Sequence, residues 1–91
     1  MVSLEIYVDT RCLTCRRSLA LADDIRQSFP QMSVEVIEIA SNRGQHRHLV
    51  TATPTFVLDG VTFSLGNPGG ADLVRAIQHL LARQKSHEPQ I

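Results

Sequence analysis

Apolar and polar positions alternate near the start of the chain, with Leu4, Ile6 and Val8 on one side and Glu5 and Tyr7 on the other. Period-two alternation predicts a strand over residues 4–8 with one face on a core. Asp9-Thr10-Arg11 breaks the pattern, and from Cys15 the period lengthens. Leu21, Ala22, Ile25 and Phe29 recur at spacings of three and four, with Arg16, Arg17, Asp23, Asp24 and Arg26 turned mostly outward. That is the stripe of an amphipathic helix, and Pro30 ends it. Residues 34–39, Val-Glu-Val-Ile-Glu-Ile, are rich in β-branched side chains and form a second strand. A strand, a helix and a strand in such short compass make a βαβ unit, so these two strands are predicted to run parallel.

Further along, Ser41 can cap a short helix reaching about Val50, although Gly44 weakens it. Thr53-Pro54 precedes a strand over residues 55–58, Asp59-Gly60 is a two-residue hairpin signal, and residues 61–65 return as its antiparallel partner. Residues 66–70, Gly-Asn-Pro-Gly-Gly, read as a loop. A last helix is expected from Asp72 to about Gln84, its face traced by Leu73, Ile77, Leu80, Leu81 and Gln84. The order βαβ, short α, ββα predicts an α/β domain with a four-stranded mixed sheet and helices on both faces. Residues 1–85 form that domain and residues 86–91 a loose tail. The edge strand at 61–65 could also pair between chains.

Composition narrows the function. With 91 residues and 43% hydrophobic content the chain has material for one core and no more. Nine Lys and Arg balance nine Asp and Glu, and there are three Phe, one Tyr and no Trp. A neutral, aromatic-poor chain is ill suited to tracking nucleic acid, and no partner of that kind is expected. No apolar run approaches the roughly 18 residues of a membrane span. The first nine residues carry acids within their apolar stretch and are not read as a secretory signal, so a cytoplasmic location is expected.

Cys12 and Cys15 are the only cysteines, in the order Cys12-Leu13-Thr14-Cys15. In a reducing compartment a purely structural bridge over so short a loop has little purpose, which leaves redox exchange or metal binding.

The cysteine pair between a strand and a helix, Thr53-Pro54-Thr55 opening the third strand and the Leu58-Asp59-Gly60-Val61 hairpin together resemble the thioredoxin-like superfamily in its minimal, glutaredoxin-sized form. The resemblance covers residues 4 to about 84. It implies a cis Thr53-Pro54 bond beside the cysteines, with Thr53 gripping an extended substrate as an added strand; the plainer reading of the same residues is a bend that starts a strand. The departures concern the donor. Leu13-Thr14 replaces the dipeptides Gly-Pro or Pro-Tyr, Arg11 stands where thioredoxins have Trp, and Ala52-Thr53 replaces Thr-Val. Gly69-Gly70-Ala71-Asp72 resembles the glutaredoxin segment that holds the γ-glutamyl end of glutathione, but the second acid is Leu73. An equally good reading makes Asn67 the helix N-cap with Pro68 at the first helical position.

The chemistry expected is dithiol–disulfide exchange. Cys12, at a helix N-terminus and beside Arg11 and Arg16, is the attacking thiol; Cys15, one turn into the helix and more buried, resolves the mixed disulfide. Arg11, Thr53 and Pro54 are the expected substrate contacts, and Leu13, Thr14, Gly70 and Asp72 candidate contacts to a bound thiol. No metal or organic cofactor is implied; glutathione is a possible co-substrate, and the partners are a disulfide-bearing protein or small thiol and an electron donor. The runner-up is a binding or carrier module of the same fold, whose cysteines hold a metal or Fe–S cluster or merely remain from the fold while the module binds a partner without catalysis. Cys12, Cys15, His46 and His48 do not have zinc-finger spacing. Arg43, His46, Arg47 and His48 read instead as a solvated basic face, and His79 and His87 as surface residues. A copper-chaperone reading fails because that fold ends in a strand, and Thr10 stands where its motif has Met.

Overall fold

In a computed structural model of the chain, residues 1–9, 11–39 and 52–86 are described. The alternating segment is β1 (Ser3–Val8), followed by α1 (Cys15–Ser28) and β2 (Ser33–Glu38). Then come β3 (Thr55–Leu58), β4 (Val61–Leu65) and α2 (Gly70–Ser86). The sheet order is β2-β1-β3-β4, with β1 parallel to β2 and antiparallel to β3, and β3 antiparallel to β4. The expected short helix over residues 41–50, the basic face it would carry and residues 87–91 lie outside the described residues.

The strand alternation sorts the two faces of the sheet. Leu4, Ile6 and Val8 form one buried cluster with Leu21, Ala22 and Ile25 of α1 and Leu73 and Ile77 of α2. Both helices therefore pack on the same face. The sequence predicts helices on both faces; the two described helices share one face, and residues 41–50 lie outside the described residues. On the opposite face Tyr7 and Thr55 are fully buried and Val57 nearly so. The Tyr7 hydroxyl donates to Glu5 Oε2 at 3.1 Å.

Local chemistry sets the element ends. α1 stops at Ser28, where the Phe29 N–H closes on the Ile25 carbonyl at 2.8 Å just before Pro30. Phe29 still packs against the core from outside the helix. The hairpin turn has Asp59 at φ 53 and Gly60 at φ 85, the left-handed pair of a type I′ turn that Asp-Gly favours. A register shift opposite Phe56 and Val57 leaves Phe63 as an extra residue on β4, a bulge that the alternation did not announce. Phe63 packs against the core, while Val61 and Leu65 are exposed.

Two boundaries at α2 differ from expectation. The helix starts at Gly70, inside the expected loop, and its first bond runs from the Leu73 N–H to the Gly69 carbonyl at 3.0 Å. Gly69, not Asn67, is thus the N-cap, and Pro68 lies outside the helix. At the other end α2 takes in Ser86, assigned above to the tail, because the sequence has no breaker before Pro89.

Replacing Ile6, which has 0% exposure between the two helices, by Ala is expected to cost about 2–5 kcal/mol in urea unfolding. Val61→Ala on the exposed edge is expected to stay within about 0.5 kcal/mol. Burial and the neighbouring Glu5 push the Tyr7 phenol up to about 12 from 10.0. Between these values the folded chain keeps a proton that the unfolded chain has lost, so stability falls as pH rises through that window. As the only tyrosine, Tyr7 gives the whole phenolate absorbance; its midpoint is expected near pH 12 when folded and near 10 in denaturant.

Candidate functional site

The register of the sheet collects three loops at one end. Tyr7 pairs with Thr55, and Thr55 pairs with Leu65. The chain leaving β1, the chain entering β3 and the chain leaving β4 therefore lie side by side. The first carries the cysteines, the second Thr53-Pro54, the third Asn67. The Gly66 N–H donates to the Pro54 carbonyl at 2.7 Å, tying the last two together.

The cysteine segment is built from successive turns. Asp9 accepts the Arg11 N–H on Oδ1 at 3.0 Å and the Cys12 N–H on its carbonyl at 3.0 Å. The Cys15 N–H then closes on the Cys12 carbonyl at 3.3 Å. Cys12 and Cys15 form a disulfide with Cα atoms 5.4 Å apart. Cys15 is the first residue of α1, with Thr14 as N-cap, rather than a full turn inside as expected. Of the pair, Cys15 is buried at 5% exposure and Cys12 is half-buried.

The electrostatics favour an anion at Cys12. The first turn of α1 has no acid and contains Arg16 and Arg17, so their charges add to the positive end of the helix dipole. Arg11 does not add to this as expected. Its guanidinium pairs with Asp9 Oδ2 at 3.5 Å and its side chain is 89% exposed. Arg16 instead lines an open groove of about 700 Å³ beside Cys12, together with Leu13, Leu19, Val36 and Glu38. Leu13, between the cysteines, is 96% exposed.

The remaining expected residues are placed as follows. The Thr53–Pro54 bond is cis. Pro54 is buried and Thr53 half-buried. The Thr55 hydroxyl donates back to the Ala52 carbonyl, fixing the bend around them. Gly70 packs beside Leu21, and Asp72 pairs with Arg75 at 2.8 Å in an exposed position. Neither Gly70 nor Asp72 lines the groove beside Cys12. Among the described residues no three His, Cys, Asp or Glu side chains gather as a metal site; His46 and His48 lie outside them.

Sequence reasoning missed the residues that brace the cysteine turn. Asn67 Nδ2 donates to the Thr14 carbonyl at 2.8 Å, and Asn67 Oδ1 accepts from the Ser18 hydroxyl at 2.5 Å. Ser18 is fully buried. Its position on the apolar stripe, three after Cys15 and four before Ala22, was a usable signal: a polar side chain there needs a partner. Asn67→Ala leaves that hydroxyl without its acceptor and is expected to destabilise by about 1–3 kcal/mol. Ser18→Ala combined with Asn67→Ala is expected to cost less than the sum of the two single changes, by about 1 kcal/mol in a denaturant double-mutant cycle. Strict additivity would show that the two side chains do not interact.

The sequence matches no protein-family model and no curated protein. Its structure is nonetheless similar to several solved ones. Malaria-parasite thioredoxin-2 superposes with a TM-score of 0.76 at 15% identity, over 87% of this chain and 82% of that one. Mitochondrial thioredoxin 3 of Saccharomyces cerevisiae, in its oxidised form, gives 0.71 at 22% identity over 86% and 77%. Fasciola hepatica thioredoxin gives 0.68 at 18% identity over 86% and 79%. Identities this low speak for architecture, and the cysteine pair at the start of α1 and the mixed sheet agree with it: the chain has the thioredoxin fold.

Proposed function

We propose that the protein is a small dithiol–disulfide oxidoreductase. The observation that carries this reading is the Cys12–Cys15 disulfide at the start of α1, with Cys12 half-buried and Cys15 buried. In the reduced protein the Cys12 thiolate attacks one sulfur of a substrate disulfide. That S–S bond breaks, the departing thiolate takes a proton from solvent, and Cys12 is left in a mixed disulfide. The Cys15 thiol then loses its proton and attacks Cys12 Sγ. The second substrate thiolate leaves with a proton, and the protein disulfide forms. Two electrons have passed to the substrate. An external dithiol, or two equivalents of a monothiol such as glutathione, returns them.

Thr53 and Pro54 supply the substrate contact in this scheme. Thr53 has no backbone hydrogen bond to the described residues, so an extended substrate segment can pair with it as an added strand. Leu13 stands on the rim as an apolar contact, while Arg11, turned to Asp9, is a secondary one. Gly70 and Asp72, which do not line the groove beside Cys12, are given no contact in this scheme. A reducing compartment such as the cytoplasm suits a dithiol that must be regenerated, and no helix among the described residues is long and apolar enough to cross a membrane.

A redox titration of metal-free protein against glutathione and dithiothreitol buffers, read by thiol alkylation, is expected to give one reversible two-electron midpoint between about −270 and −120 mV. Cys15→Ser is expected to accumulate the Cys12 mixed disulfide, and Cys12→Ser to abolish reduction of a disulfide substrate. Independent alkylation of both thiols in every buffer, with no bridge formed, would remove the oxidoreductase reading.

A further inference from the structure

Thr14 is the N-cap of α1, yet its side chain makes no capping hydrogen bond. An N-cap threonine ordinarily accepts a backbone N–H from the first turn with its hydroxyl oxygen. Here the backbone sits at φ −87, ψ −7, in the helical region rather than the extended one usual for a cap. The hydroxyl lies 3.4 Å from Cys12 Sγ. With the sulfur in a disulfide only the hydroxyl has a proton to give, so it donates to sulfur. A thiolate is a far better acceptor than a disulfide sulfur, and the same contact strengthens once the bridge is reduced.

A second observation explains why the contact survives reduction. The disulfide no longer ties the turn together in the dithiol, but the Thr14 carbonyl remains held by Asn67 Nδ2 at 2.8 Å. Asn67 is in turn oriented by the fully buried Ser18 hydroxyl at 2.5 Å. Ser18 stands on the inner face of α1, so the chain of contacts ends in the core. The residue whose hydroxyl faces the sulfur is thus fixed through its own carbonyl by a loop 53 positions further on.

We infer that the Thr14 hydroxyl stabilises the Cys12 thiolate by direct hydrogen bonding, and that Asn67 is the positioning residue that holds Thr14 for it. This deepens the oxidoreductase reading and rests on it for its meaning, though the thiol ionisation it concerns can be measured without turnover. Among the described residues the charged groups around Cys12 are Asp9 and Arg11 from the turn, Arg16 from α1 and Glu38 from β2. None changes when Thr14 is replaced, so a shift isolates the hydroxyl. Thr14 is exposed and makes no cap bond, so its replacement leaves the fold intact.

The experiment is a pH–rate profile for alkylation of Cys12 in the reduced protein, the Cys12 peptide being read by mass spectrometry. Thr14→Val is expected to raise the Cys12 pKa by about one unit, and Thr14→Ser to keep it near the parent value. Asn67→Ala is expected to move it in the same direction as Thr14→Val, although Thr14 itself is intact. At a pH where the parent thiol is ionised, Thr14→Val is also expected to make the reduced form about tenfold less stable, ~30 mV more negative in reduction potential. An unchanged Cys12 pKa in Thr14→Val, or a Thr14→Ser shift as large as that of Thr14→Val, overturns the hydroxyl's role. A shift in Thr14→Val with none in Asn67→Ala overturns the role of Asn67. Failure of the parent protein to form a reversible disulfide would count against the oxidoreductase reading and leave the pKa comparison to decide this one.

Discussion

The antiparallel pairing of β1 with β3 puts Tyr7 opposite Thr55 and so brings the end of one strand beside the start of the other. Side chains on a strand alternate faces, so a slip of one residue would turn Leu4, Ile6 and Val8 away from both helices. The buried face therefore fixes the register, and the register fixes which loops meet. The turn that carries Cys12, the bend at Pro54 and the loop that carries Asn67 are neighbours for that reason. Core and reactive end are set by the same pairing.

At that end, backbone geometry and charge act together. The turns that run from Asp9 to Cys15 deliver the cysteines to the start of α1 with backbone hydrogen bonds already made. The first turn of that helix holds two arginines and no acid, so the dipole is reinforced rather than opposed. Arg11, next to Cys12 in sequence, is turned to Asp9. Arg16, on the first turn of α1, is the arginine that lines the groove beside Cys12.

The elements were legible in the sequence wherever a period or a turn dipeptide encodes them. The alternation of Leu4, Ile6 and Val8 identifies β1, Asp59-Gly60 identifies the hairpin, and Pro30 marks the end of α1. What escaped was non-local. Asn67 followed by Pro68 has the local signature of a helix start, and locally nothing contradicts it. In the fold the amide finds Thr14 and Ser18 on another element instead, and Gly69 takes the cap. Phe63 escaped for a related reason: a bulge is decided by how β4 must curve to pack beside α2, not by the residues of β4 alone. Within the site the cysteines and their order of exposure were readable, because spacing and helix position encode them. The support of Thr14 was not, since it comes from a partner 53 residues away.

The Cys12–Cys15 bridge closes a short loop, and its effect on the fold is correspondingly small. Closing a loop as short as Cys12 to Cys15 restricts the unfolded chain by about 2 kcal/mol on the loop-entropy relation, against about 3 for a 15-residue loop. That is no more than the low end of what one core side chain of the size of Ile6 contributes. Reduction also leaves in place the turn bonds at Cys12 and Cys15 and the Asn67 bond to Thr14, none of which needs the bridge. The core cluster is built mainly from β1, β3 and the two helices, and Cys15 contributes one buried side chain among them. The shortness of the loop thus keeps the bridge's effect on the fold small, and hydrogen bonds that do not involve the sulfurs hold the turn around it.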